Sequence, residues 1–166
     1  MMESSVSVCP VPHEQQPLNE YEELKASWFF RYCTLEWREY ITKIAWIWGW
    51  SWLVAGPVAA ASFAPYKYGA QFILCGALGA SLGVALALMR LYLGWSYVRQ
   101  RLVSPTIFYE ESGWYDGQTW TKPVEVLTRD RLIVTYQVQP ILQRLQITFL
   151  VLALLFLVGG LVWIFL

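Results

Sequence analysis

Three long uncharged apolar stretches constrain the fold more than any other feature of this sequence. They run from Ile44 to Ala64, from Ala70 to Met89 and from Ile147 to Leu166. A helix needs about 20 mostly apolar residues to cross the hydrocarbon core, where lipid offers no partner to an open backbone N–H or C=O group. Only 14% of the residues are charged, against roughly 25% in ordinary soluble proteins. The stretches therefore predict a mainly α-helical membrane protein with three transmembrane helices.

Lysine and arginine are unevenly distributed around these predicted spans. Four of them precede the first span and seven lie between the second and the third, whereas only Lys67 lies between the first and the second. Basic residues in short flanking segments are retained on the cytoplasmic side of a membrane. The N-terminus and the loop 99–146 are therefore predicted to face the cytoplasm or stroma, residues 44–98 to form a transmembrane hairpin, and the C-terminus to lie on the lumenal side.

The polar residues before the first span are predicted to form two segments. Residues 1–18 are expected to be extended. Residues 19–43 are expected to form an amphipathic helix on the membrane surface, since apolar and aromatic side chains recur there at helical spacing. Asn19 is the predicted N-cap, with Glu22 as its partner in an approximate capping box. The apolar face of this helix could instead dock on the loop domain or on a partner protein, and the sequence does not separate these alternatives.

The loop between the second and third spans contains the polar and aromatic stretch YEESGWYDGQTW. Residues 106–121 are predicted to form a small β-meander, with turns at Ser112-Gly113 and Asp116-Gly117. Asp-Gly is favoured in tight hairpin turns because the central residues can require positive φ. So small a sheet is marginal alone and is expected to pack against the membrane interface or another protein.

Residues 123–139 are predicted to form a helix that leads into the third span, with a disturbance at Pro140. Their β-branched residues leave a strand as the alternative. The charged run RDR, residues 129–131, is expected to form structural ion pairs with carboxylates of the meander. These carboxylates belong to Glu110, Glu111 and Asp116.

The second span carries small residues at the spacing that allows close helix packing. Gly79 and Gly83 form a G-x-x-x-G motif, and Gly76 precedes them by nearly one turn. Small side chains at this spacing let two helix backbones approach each other. We predict that these glycines pack against the first span, with a homodimer as the alternative.

Tryptophan occupies alternate positions from Trp46 to Trp52 at the start of the first span. On a helix these side chains spread around the cylinder, which is typical of an aromatic belt at the membrane interface. A platform for a pigment or another ligand is the alternative interpretation.

The sequence offers little chemistry for catalysis or metal binding. His13 is the only histidine, so a multi-histidine metal site is excluded, and HEQQP lacks the second histidine of the H-E-x-x-H motif. A net charge of +0 gives no footprint for nucleic acid. No ionisable residue lies at the centre of a span, which argues against transport. We predict no catalytic residue and no metal site, and no cofactor is identified.

Exposed tryptophan and tyrosine are typical of protein interfaces, so we predict that the meander and the start of the following helix contact a protein partner. The candidate interaction patch consists of Trp114, Tyr115, Asp116, Trp120, Arg129, Asp130 and Arg131. In the alternative interpretation the aromatic residues seal the meander onto the N-terminal helix.

Several polar segments carry a family resemblance. The stretches PVPHEQQPLNEYEEL, SWFF, YEESGWYDGQTWTKP and RDRLIVTYQVQPIL, in this order, resemble a family of small membrane proteins of cyanobacteria and plastids. The family is known as a hypothetical chloroplast reading frame of unknown function, shared by the green lineage and diatoms. The resemblance runs from about Pro10 to the C-terminus. It implies a thylakoid membrane protein with a suggested part in acclimation to iron limitation and oxidative stress, and it assigns no reaction or catalytic residue.

Residue chemistry and resemblance together predict a non-catalytic protein of the photosynthetic membrane. It would act as an assembly, repair or stress-acclimation factor for a membrane complex, with the lipid bilayer and a membrane protein as partners. The alternative is a small pigment-, haem- or metal-binding membrane protein, and a membrane enzyme is less favoured. Pigment binding through Gln71 or a backbone carbonyl, and carotenoid packing on the tryptophans, stay open.

Overall fold

The computed structural model describes residues 9–110 and 117–166. Within this part of the chain, helices dominate and one small sheet is present. The α-helices are α1 Pro17–Ala26, α2 Trp37–Ser62, α3 Gly69–Val103, α4 Val124–Ile133 and α5 Gln139–Phe165. The strands are β1 Thr106–Tyr109 and β2 Gln118–Thr121. Short 3-10 turns cover His13–Gln15 and Phe30–Thr34, and a π-helical turn covers Val134–Val138.

Three helical rods are long and apolar enough to cross a membrane, as the sequence predicts. They are α2, α3 and the continuous rod Val124–Phe165, in which the π-helical turn joins α4 to α5. The prediction of a mainly helical fold with three helices long and apolar enough to cross a membrane is therefore confirmed.

Two of these rods extend well beyond the predicted spans. The second span was expected to end at Met89, but α3 continues to Val103 and is about 52 Å long, against a hydrocarbon core of roughly 30 Å. The reason is that apolar side chains keep their helical spacing after Met89: Leu91, Trp95 and Val98 are all buried. Part of the predicted 99–146 loop domain is therefore helix.

The single amphipathic helix predicted over residues 19–43 is wrong. α1 ends at Ala26, and an elbow of residues 27–36 separates it from α2. The break lets Tyr21, Cys33 and Tyr40 enter one core. On one straight helix Tyr21 and Tyr40 would lie about 28 Å apart, which is too far for shared burial. Tertiary packing thus overrides helical periodicity.

The start of α1 also differs from the prediction. Pro17 occupies the first turn and Gln16 is the N-cap residue, so the Asn19 capping box with Glu22 is not formed. Proline suits this position because its missing N–H would be unpaired there in any case. The Nδ2 of Asn19 instead donates to the carbonyl oxygen of His13 at 2.6 Å.

The segment 123–139 is helical, and the alternative of a strand is wrong. The disturbance that was predicted at Pro140 takes the form of the π-helical turn just before it. The N–H of Gln139 donates to the carbonyl of Val134, five residues back. Proline lacks an N–H and its ring clashes with the carbonyl four residues earlier, here that of Tyr136. A wider turn removes both problems without ending the helix.

The predicted meander is observed as two antiparallel strands. Thr106 pairs with Thr121 and Tyr109 with Gln118. The turn at Ser112-Gly113 and residue Asp116 of the second turn lie outside the described residues. The hairpin buries Ile107 and Tyr109 against Val11.

Helices α2 and α3 form the closest contact of the membrane part. A Cβ atom added to Gly76 would lie 2.6 Å from ring carbons of Trp52, and one added to Gly79 would lie 3.2 Å from the Cβ of Ala55. One added to Gly83 would overlap the hydroxyl of Ser51. All three glycines therefore line the contact between α2 and α3.

Candidate interaction surface at the polar end of the bundle

The N-terminal segment and the hairpin lie at the same end of the helical bundle. The Gln15 side chain links them, since its Nε2 donates to the backbone oxygen of Glu110 and its Oε1 accepts from the backbone N–H of Glu110, both at 3.0 Å. We call this end the polar platform and define it as residues 9–36, 91–110 and 117–138. Hydrogen bonds of individual side chains connect its parts to one another.

Arg101 is the main connection within the polar platform. Its Nε and Nη2 donate to the two carboxylate oxygens of Glu20, each at 3.0 Å. Nη2 also reaches the backbone oxygen of Gln15 at 2.8 Å, and Nη1 that of Phe108 at 3.3 Å. A guanidinium fork on a carboxylate fixes orientation as well as distance. One side chain of α3 therefore holds the N-terminal segment and the hairpin in register.

A buried ion pair closes the other side of the hairpin. The Nζ of Lys122 lies 2.8 Å from Oδ2 of Asp130, and the two side chains are 0% and 2% exposed. Lys122 also donates to the carbonyl oxygens of Arg101 and Leu102, at 3.1 and 3.0 Å. All three ammonium protons thus have acceptors, as a buried charge requires. The pair caps the C-terminal end of α3 and binds α4 to it.

The ion pairs that were predicted between the run RDR and the meander are tested only at Glu110, which forms no ion pair with Arg129 or Arg131 among the described residues. Besides Lys122, the Asp130 carboxylate accepts from Nη2 of Arg129 at 3.2 Å. Arg129 and Asp130 therefore pair with each other, and Asp130 also pairs with Lys122 directly after β2. Glu111 and Asp116, two of the predicted partners, lie outside the described residues. Sequence reasoning did not single out Lys122, because nothing in the local sequence TKP distinguishes a buried lysine from an exposed one.

The elbow between α1 and α2 is held by Arg144 of α5. Its Nη1 donates to the carbonyl oxygens of Cys33 and Leu35, at 3.1 and 2.5 Å, and its guanidinium lies 4.8 Å from the ring centroid of Trp37. Burial raises the pKa of the Cys33 thiol from 9.0 to about 12, and the charge of Arg144 offsets only part of this rise. Cys33 is therefore a packed thiol and is protonated at neutral pH.

Only part of the candidate interaction patch lies among the described residues. Trp114, Tyr115 and Asp116 lie outside the described residues. Trp120 is half-buried against the cluster of Val11, Ile107 and Tyr109, so it contributes to internal packing. Trp120, Arg129 and Asp130 surround a small cavity of about 200 Å³.

The remaining patch residues differ in exposure. Asp130 is buried, whereas Arg129 and Arg131 point outward. Those two arginines are the exposed residues of the patch within the part of the chain that the structure describes.

An exposed apolar stripe on α4 and the π-helical turn was missed by sequence reasoning. We call Val124, Thr128, Leu132 and Tyr136 the α4 stripe. Val124 is 79% exposed, Leu132 53% and Tyr136 75%. Along the helix axis these three lie about 17 to 35 Å from Ile147, where the third span was predicted to begin. The four residues of the α4 stripe recur at every fourth position, and this spacing is the signal that could have identified the stripe.

The polar platform shows no arrangement of side chains suited to metal binding within the described ranges. Over residues 9–110 and 117–166 no group of three or more His, Cys, Asp or Glu side chains is placed to hold a metal ion. The buried Lys122 ammonium donates to Asp130 and to two backbone carbonyls, and the Asp130 carboxylate accepts from Lys122 and Arg129.

Comparison with known proteins gives a consistent family match. The model of the family described as CGLD27-like, conserved in the green lineage and diatoms 27, matches residues 9–151. An uncharacterized protein ycf36 of Pyropia yezoensis is 47% identical over 147 residues, which cover 89% of each chain. The one of Cyanophora paradoxa is 44% identical over 140 residues, covering 84% of this chain and 88% of the relative.

A plant relative is longer than this chain. The chloroplastic protein conserved in the green lineage and diatoms 27 of Arabidopsis thaliana is 47% identical over 139 residues, which cover 83% of this chain and 42% of that protein. No solved structure matches the chain significantly.

Proposed function

The chain belongs to the CGLD27-like family, and from this premise we propose that it is a non-catalytic integral protein of the photosynthetic membrane that assists a membrane complex. It assists this complex during assembly, repair or acclimation to stress such as iron limitation. The chloroplastic relative and three apolar helices support a plastid-type membrane. The polar platform faces the stroma or cytoplasm in this proposal, because most lysine and arginine residues lie on it or beside it.

The α4 stripe is the observation that carries this proposal. Exposed apolar side chains in a membrane protein need no explanation where they face lipid. Leu132 and Tyr136 instead lie on a helix that projects beyond the predicted span, beside the exposed Arg129. Large apolar residues rimmed by polar ones mark protein contact sites, and tyrosine and arginine are enriched at them.

The rigidity of the polar platform fits the same role. Arg101 and Lys122 fix α4 and the hairpin relative to the membrane rods. A surface fixed in the unbound protein loses less conformational entropy on binding. In this proposal the α4 stripe therefore lies at a fixed distance from the membrane surface.

The test is to purify a tagged protein from its own membranes in a mild detergent and to identify the co-purifying polypeptides. Tyr136→Asp is the probe, and Tyr66→Asp is the matched control, because Tyr66 is also an exposed tyrosine but lies at the opposite end of the bundle. We expect wild type and Tyr66→Asp to retain stoichiometric photosynthetic subunits. We expect Tyr136→Asp to lose them while the protein still accumulates.

Two outcomes would contradict the proposal. The first is equal co-purification with both variants, which would exclude the α4 stripe as the contact. The second is a wild-type protein that purifies alone and carries visible absorption, which would favour the pigment- or haem-binding alternative.

A further inference from the structure

A groove of about 630 Å³ lies between the elbow and α2. Trp28 and Tyr32 of the elbow line one wall, and Trp46 and Trp50, one turn apart on α2, line the other. Lys43 lies at its upper end. Drug-sized ligands occupy sites of about 300 to 1,000 Å³. The groove is therefore large enough for a substantial part of a membrane amphiphile.

Hydrogen-bond donors dominate the polar atoms of this groove. Lys43 and the tryptophan indoles only donate, and no carboxylate lines the groove within the described residues. The Nζ of Lys43 lies 5.4 Å from the ring centroid of Tyr32, which fixes the ammonium at the mouth. Lys43 forms no ion pair with any residue in the described ranges. The groove is therefore complementary to an anion.

Lys43 is the one charged side chain among the described residues that line the groove, and it lies at one end, as the headgroup does in an anionic lipid. Lys43 directly precedes the predicted span, and Ser51 at the other end lies about 12 Å further along the helix. A second groove of about 540 Å³ follows the other side of the ridge formed by Trp46 and Trp50 and reaches Leu53. The second groove begins at Ile41 and Thr42, which directly precede Lys43 in the sequence, and both grooves follow the same ridge.

We propose that this site binds an anionic diacyl glycerolipid of the membrane. Its headgroup lies at Lys43 and Tyr32, and its acyl chains lie along the ridge of Trp46 and Trp50. This site lies on α2 and the elbow, apart from the α4 stripe, and does not depend on the function proposed above.

The test measures tryptophan quenching in nanodiscs of neutral phosphatidylcholine that contain a minor fraction of brominated lipid. Brominated phosphatidylglycerol is compared with brominated phosphatidylcholine at the same fraction. The double variant Trp46→Phe, Trp50→Phe defines how much quenching comes from the ridge. We expect about five-fold enrichment of the anionic lipid at the ridge, which corresponds to about 1 kcal/mol for one lysine near an anionic headgroup.

Lys67 supplies a matched control. It lies 5.3 Å from the ring centroid of Tyr68, the same cation–π arrangement at the opposite end of the bundle. Lys43→Gln should abolish the preference for brominated phosphatidylglycerol, and Lys67→Gln should leave it unchanged. Both variants are checked for helix content, so that misfolding is recognised. High salt should weaken the preference of the wild type.

Three results would overturn the proposal. The first is equal quenching of the wild type by the two brominated lipids. The second is an equal effect of Lys43→Gln and Lys67→Gln. The third is a purified protein with a visible chromophore that the Trp46→Phe, Trp50→Phe variant lacks, since a pigment would then occupy the groove.

Discussion

The polar platform and the membrane part of the molecule are stabilised in different ways. In the most apolar stretch of each long rod, 6% of α2, 28% of α3 and 11% of the third rod is buried within the protein. The polar platform instead buries a lysine and an aspartate completely. Lipid is as apolar as leucine and does not drive helices together, so close contacts in the membrane depend on small residues. The described polar platform contains the buried ion pair and the Arg101 contacts, so burial and directed polar contacts determine its structure.

The largest expected effect comes from separating the buried ion pair. Asp130→Ala leaves the Lys122 ammonium buried without its counter-ion and should destabilise the polar platform by about 3 to 5 kcal/mol. Hydrogen exchange should become fast over α4 and the hairpin, while the membrane rods stay protected. Glu125→Ala, which removes an exposed carboxylate from the same helix, is the control and should have little effect.

A double variant separates charge burial from simple loss of contacts. Lys122→Met with Asp130→Leu removes both charges and should recover most of the stability, since apolar pairs often replace buried ion pairs without loss. If the double variant is as unstable as Asp130→Ala, the pair does not act through its charges. In that case the contrast between the two regions would rest on packing alone.

The second expected effect is chemical protection of Cys33. With a pKa raised from 9.0 to about 12, the folded thiol is mostly neutral at pH 9, where half of an ordinary thiol is ionised. The thiolate is the nucleophile, so alkylation at pH 9 should be slower for the buried Cys33 than for the half-buried Cys9. Single-cysteine variants and an alkylating reagent measure both rates.

The pH dependence of stability has a defined sign for Cys33. Its pKa is higher in the folded than in the unfolded protein, so its contribution to stability is fully present below pH 9. The contribution decreases as pH rises from 9 towards 12, and Cys33→Ala should reduce this dependence. Equal alkylation rates for Cys9 and Cys33 in the folded protein would show that the elbow opens readily.

The third expected effect concerns the membrane part. A methyl group at Gly76 would overlap the Trp52 ring, so Gly76→Ala should lower stability by about 1 to 3 kcal/mol through overpacking. Gly49→Ala is the matched control, since no atom lies within 4 Å of its added Cβ. That substitution should be neutral or stabilising, because alanine favours a helix by about 1 kcal/mol over glycine. Thermal unfolding in detergent measures the stability of both variants. A destabilised Gly49→Ala would contradict the open surroundings of Gly49.

The membrane part could be predicted from the sequence because its signals are local. Uncharged runs define the rods, and the spacing of Gly76, Gly79 and Gly83 indicates a packing face. The polar platform could not be predicted to the same depth. The burial of Lys122 depends on the end of α3 and on Asp130, which only the folded hairpin brings together.

The end of α1 at Ala26 also depends on contacts that only the folded chain brings together. Helical periodicity continues through the elbow, and only the shared core of Tyr21, Cys33 and Tyr40 requires the chain to turn. The α4 stripe was missed for a related reason, since its exposure depends on which face of α4 the core covers.

The smallest expected effect is at Arg101. Arg101→Lys keeps the charge but replaces the planar fork that binds Glu20 by a single ammonium, and it cannot reach the Gln15 and Phe108 carbonyls at the same time. The pair is about one fifth exposed, so we expect a loss of only about 1 kcal/mol. The N-terminal segment should detach first, because Arg101 and the Gln15 amide form its hydrogen bonds to the hairpin. Limited proteolysis near residue 15 should become roughly five-fold faster. Arg99→Lys, at an exposed arginine of the same helix, is the control. An equal response of both variants would mean that general charge, and not directed contacts, stabilises the platform.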